Sequence, residues 1–160
     1  CPTTGDCTNG LQDGDEVYID CGGSTCPECE GTISWKANGQ TFMGDAEASA
    51  TMNGTSIAIG GVSLTTASIG FVIAEPAGGF ANGNVVPMNM ATAPGTAGAY
   101  EAVGAAEQYS TANGGNMTME INYVVPGAGG YISGTFSGNM QSASGVGVTI
   151  SQGIFAIPIN

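Results

Sequence analysis

All five cysteines of this chain fall within its first 29 positions, and none follows. That division limits the fold before any other pattern is read. A segment of about thirty residues is too short to bury a core of its own and needs covalent or ionic help. The stretch after it has no such help available and must fold by burying apolar surface. The sequence therefore reads as two domains, a cysteine-rich head over 1–30 and a body over 31–160, within a chain of 160 residues.

Within the head, Cys7, Cys21, Cys26 and Cys29 form an even set, which reads as two disulfides stapling a loop-rich unit in an oxidising compartment. Three connectivities satisfy the sequence. A Cys26–Cys29 bond is disfavoured, since it closes a very tight ring containing Pro27. Zinc is the competing reading, but there is one Cys-x-x-Cys and no histidine in the chain. A thioredoxin-like redox role lacks its βαβ context. The leftover residue is Cys1. A cysteine at a mature N-terminus is the product of lipoprotein processing, so Cys1 reads as the lipid-anchor position, against a free or intermolecularly paired thiol.

Asn9, Asp13, Asp15, Glu16 and Asp20 place oxygen donors on a glycine-punctuated loop that contains no cation. Carboxylates so crowded repel one another unless a cation sits among them, and hard oxygen donors suit Ca2+. The spacing is not that of the helix-flanked twelve-residue calcium loop, and a solvated acidic loop is the alternative. The string Cys-x-Asn-Gly-x-Gln-Asp-Gly-Asp-Glu-x-x-x-Asp-Cys-Gly-Gly-x-x-Cys-x-x-Cys over 7–29 resembles a module at the start of exported proteins of Bacteroidota, often directly after a lipidated cysteine. Val17 and Tyr18 depart from its usual pattern and leave the acidic positions intact. The resemblance implies export to the outer-membrane surface or the exterior and is compatible with metal binding. It implies no activity.

Charge excludes several partners. Thirteen acids oppose one cation, Lys36, for a formal net charge of −12. Such a chain cannot neutralise a phosphate backbone or dock electrostatically on anionic lipid, so nucleic acid is excluded as a partner. Seven of the acids lie in 1–30, which leaves the body with Lys36, Asp45, Glu47, Glu75, Glu101, Glu107 and Glu120. Average soluble domains carry about 25% charged residues. A surface this neutral suits a molecule covered by neighbours, either copies of itself or other surface proteins; compositional drift is the plainer explanation.

The body reads as short strands and turns. Ile33 and Trp35 alternate with polar residues, Asn38-Gly39 signals a hairpin before Phe42, and Gly60-Gly61 reads as a break. The apolar run at 69–74 reads as a central strand, and 116–125, 131–140 and 146–157 alternate with period two. Roughly nine strands without a convincing long helix predict an all-β antiparallel sandwich. Residues 76–114 read as loops with one or two short strands and a short helix as an option over 100–109. Trp-x-Ala-x-Gly-x-x-Phe over 35–42 and the strands at 132–137 and 148–155 resemble the ends of a small β-sandwich domain of Bacteroidota lipoproteins that has no assigned function.

No histidine and one lysine leave no triad or oxyanion clamp, so no catalytic residue is assigned. Asp45 with Glu47, and Glu101 with Glu107, read as solvated carboxylates. Met88 with Met90 and Met117 with Met119 read as core pairs before copper ligands. The expectation is a non-enzymatic structural or interaction protein, a subunit of a surface assembly or filament whose strand edges lack blocking charges. The alternative is a glycan- or ligand-binding accessory lipoprotein, with its site and freer tyrosines in 76–114.

Overall fold

The computed structural model describes residues 7–14, 16, 19–21, 24–27, 30–44, 48–63, 67–89, 93, 95–102 and 107–160. The expected positions Cys1, Asp15, Cys29, Asp45, Glu47 and Met90 lie outside them. The chain forms two compact units, Cys1–Glu30 and Gly31–Asn160. Among the described residues no helix is long and apolar enough to cross a membrane, which leaves membrane-spanning strands unaddressed.

The second unit is all-β, with eleven strands rather than nine: β1 (Thr32–Ala37), β2 (Gln40–Met43), β3 (Ser49–Asn53), β4 (Ser56–Ser63), β5 (Ala67–Ala74), β6 (Val85–Met88), β7 (Ala97–Ala102), β8 (Gln108–Ser110), β9 (Asn116–Val125), β10 (Gly130–Ser142) and β11 (Gly147–Ile159). They form one continuous sheet folded into two layers. One layer runs β2-β1-β11-β10-β9-β6 and the other β3-β4-β5-β7-β8. The layers are stitched at two corners. Gln141 and Ser142 of β10 pair with Ser110 and Tyr109 of β8, and Ile159 of β11 meets Ala50 of β3 in one parallel bridge. The open edges are therefore β2 and β6, each four residues long, and β6 carries Pro87. Short edges and an edge proline block strand addition.

Side-chain period explains both layers. Ile57, Ile59, Ile69, Phe71 and Ile73 point inward from one sheet, and Ile33, Trp35, Met119, Ile132 and Phe155 from the other, all buried. Each such residue contributes about 1.5–3 kcal/mol of burial. Met88, Met117 and Met119 are part of this core. Three phenylalanines bridge the layers: Phe71 lies 4.6 Å from Phe136, and Phe136 lies 6.3 Å from Phe155, centroid to centroid. Each stands opposite a glycine in the adjacent strand, in the pairs Phe71–Gly98, Phe136–Gly153 and Phe155–Gly134. A Cβ on Gly153 would lie 2.4 Å from the Phe136 ring, so the glycines leave the space the rings fill.

Two local features tie the first layer together. Asn38 and Gly39 both have positive φ, 49° and 86°, as a type I′ hairpin between β1 and β2 requires. The Asn38 side chain then accepts from the Thr149 amide at 3.0 Å, pinning the turn to β11. On β11, one extra residue at Ser151–Gln152 faces both neighbours, since Ser34 to Lys36 spans Ile154 to Ser151 and Phe136 to Gly138 spans Gly153 to Ile150. Gln152 takes φ 50°, and the inward parity changes from Val148 and Ile150 to Gly153, Phe155 and Ile157.

Two expectations are corrected. Gly60-Gly61 is no break but the middle of β4, where a Cβ on Gly61 would lie 2.0 Å from the Ile33 side chain of the facing layer. The helix option over 100–109 fails as well. Tyr100 belongs to β7 and Tyr109 to β8, directly paired and with rings 6.0 Å apart. Inward Gly98 and Tyr100 alternating with Ala99 and Glu101 is a strand period that small residues make faint.

Candidate functional site

Three places could carry function: the acidic head and the outer faces of the two sheets. In the head, Cys7 and Cys26 form a disulfide, and Cys21 is also disulfide-bonded. The loop between them is ordered by its own carboxylates. Glu16 is buried and its Oε2 accepts from the amides of Asp13 (3.1 Å) and Asp20 (3.3 Å). Asp20 receives the Gly10 amide on both oxygens at 2.9 and 3.0 Å, and Asn9 donates to Asp13 at 2.8 Å. Among the described residues, the one grouping of three potential acidic or sulfur ligands is Cys7, Glu16 and Cys26. It does not suit a metal, because the two sulfurs are bonded to each other. Glu16 Oε1 lies 3.2 Å from Cys26 Sγ, a contact rather than a hydrogen bond, since a half-cystine carries no S–H. Asn9, Asp13, Glu16 and Asp20 are thus joined by hydrogen bonds in one loop: Asn9 Oδ1, Glu16 Oε2 and both Asp20 oxygens accept from backbone amides, and Asp13 accepts from the Asn9 side chain.

The outer face of β3-β4-β5-β7-β8 is unusually bare. Register places Ser49, Gly60, Gly70, Ala99 and Ser110 in one row across all five strands. At about 4.8 Å per strand the row spans about 19 Å. No side chain in it exceeds a hydroxymethyl, so backbone forms the floor of a shallow trough. Thr51, Ala58, Val72 and Ala97 form the row on one side. On the other lie Val62, Ser68, Glu101 and Gln108, with Glu101 the sole charge of the three rows. Val62 and Val72 are exposed at 38% and 43%.

The outer face of the six-stranded layer is different. A cleft of about 660 Å³ lies across β1, β11, β10 and β9. One row through it reads Ser34, Ile154, Thr135, Glu120 in consecutive register. The neighbouring row carries Thr41 opposite Lys36, then the β11 bulge, then Ser137 opposite Thr118. Gln152 at the bulge also lines the cleft. The lining is thus five hydroxyls, an amide, one ammonium and one carboxylate around Ile154, which is 56% exposed. Among the described residues Lys36 and Glu120 form no ion pair; they stand in neighbouring rows on strands three spacings of about 4.8 Å apart.

Residues 76–114 do not present the expected free tyrosines. Tyr100 is buried against Phe42, and burial together with the nearby Tyr109 phenol raises its pKa above the usual value. Glu101 and Glu107 border one groove with Ser142 and Ser144. Glu107 accepts from Ser144, and hydrogen bonds from Ser144 and Ser142 hold its carboxyl below the usual carboxylate range. A glycosidase general acid needs the opposite shift. The cleft residues had no motif to mark them. Only the outward positions of alternating strands, laid side by side by register, reveal the set.

No family model matches this chain, and neither does any curated protein or solved structure.

Proposed function

We propose that this chain is a non-enzymatic structural or interaction protein, a subunit of a cell-surface assembly or extracellular filament. The observation that carries the reading is the trough of Ser49, Gly60, Gly70, Ala99 and Ser110, flanked by exposed Val62 and Val72 with one charge across the three rows. Monomers keep apart through mixed surface charge. A neutral face with backbone at its floor lets a neighbour approach closely. With the edges short and Pro87 on one of them, association runs face to face rather than by strand addition. Export and anchoring through Cys1 belong to this reading on the strength of the resemblance of 7–29. Size analysis with electron microscopy of the native protein tests it: ordered polymers or a stoichiometric complex are expected, and Ala99→Lys disperses them while leaving the fold intact. A monomer at high concentration that crosslinks to nothing rejects the reading.

Calcium held by Asn9, Asp13, Asp15, Glu16 and Asp20 is part of the same proposal, supported by four acids on a cation-free loop. Chelator is expected to lower the melting temperature of the head, and superimposable melts with and without chelator remove calcium from the account.

A further inference from the structure

We infer that the cleft on the outer face of the six-stranded layer is a binding site for a neutral oligosaccharide. This does not rest on the assembly reading, which concerns the opposite sheet. The shape and chemistry of the cleft define the ligand. Five hydroxyls and the Gln152 amide both donate and accept, as a polyhydroxylated chain demands. Ile154 stands exposed in their midst on a central strand and offers an apolar seat for the C–H face of a sugar ring.

Charge decides against the other polar ligands. Lys36 and Glu120 stand at opposite ends of the site and cancel, so the cleft itself has no net charge. The unit that bears it, Gly31–Asn160, has six acids against Lys36, which disfavours polyanions such as acidic polysaccharides and nucleic acid. Side chains left unpaired by the protein, one cation and one anion on strands three places apart, suit a ligand that bridges them with hydroxyls. The backbone supports the same reading. Gln152 is a non-glycine residue held at φ 50° on a bulge, and bulges re-aim side chains beside binding sites.

The test is a glycan array followed by calorimetry on the intact chain with the oligosaccharides it retains. Neutral oligosaccharides are expected to bind, with affinity insensitive to salt. Thr135→Val, which preserves shape and strand preference, and Gln152→Gly, which keeps the bulge in a conformation glycine favours, are each expected to weaken binding about tenfold through a lost hydrogen bond. Unchanged melting curves establish that both variants fold. Retention of no oligosaccharide, retention of acidic ones alone, or affinity unchanged in both variants overturns the site.

Discussion

Replacing Phe136 by alanine lowers the stability of the body by about 3–5 kcal/mol, the range for removing a buried aromatic ring. Phe136 is 3% exposed, and its ring meets Phe71 of the facing layer and Phe155 of its own. Its floor is Gly153, so no side chain beneath can collapse into the cavity. The glycine makes the argument testable as a pair. Gly153→Ala alone drives a Cβ to 2.4 Å from the ring and costs about 1–3 kcal/mol by overpacking. Phe136→Leu alone loses ring contacts. Together the smaller side chain makes room for the new methyl, and the double variant is expected to be more stable than the sum of the single effects by about 0.5–3 kcal/mol. Chemical denaturation of the four proteins measures this. Simple additivity would mean that the ring does not rest on the glycine.

How much of this was legible in the sequence follows from side-chain size. Where large and polar residues alternate, as in Met117, Met119 and Ile121, the strand and its inner face could be read directly. The hairpin at Asn38-Gly39 was legible because a two-residue turn has few residue choices. Where both faces are small the period vanishes. Gly98 and Ala99 look like loop material, and Gly60-Gly61 looks like a break, although the structure uses them as strand. The bulge at Gln152 has no local sign either, since neither neighbour is proline or a paired Asn-Gly. Its effect shows only as the parity change between Ile150 and Phe155. The cleft was least legible of all. Ser34, Ile154, Thr135 and Glu120 are far apart in sequence and meet only through the order β1-β11-β10-β9.

Removing the Cys7–Cys26 disulfide by Cys7→Ser with Cys26→Ser costs the head about 3 kcal/mol, from the loop-closure entropy of a bond across a sequence separation of 19. In a body with a large core that loss would be tolerable. In the head it is decisive, because the large apolar side chains among its described residues are exposed, Leu11 at 63% and Ile19 at 44%. What remains is the Cys21 disulfide and a set of hydrogen bonds to Glu16 and Asp20, each contributing about 0.5–3 kcal/mol only while the loop is already closed. Glu16 also loses the half-cystine that packs against it. The double variant is therefore expected to lose protection from hydrogen exchange at the amides of Gly10, Asp13 and Asp20, which are hydrogen-bonded to carboxylates in the intact protein. Retained protection at all three would mean that the Cys21 bond and the carboxylate network, alone or with a bound cation, hold the loop without this staple. Chelator added to the same variant separates those two causes, since only a cation-held loop would then open.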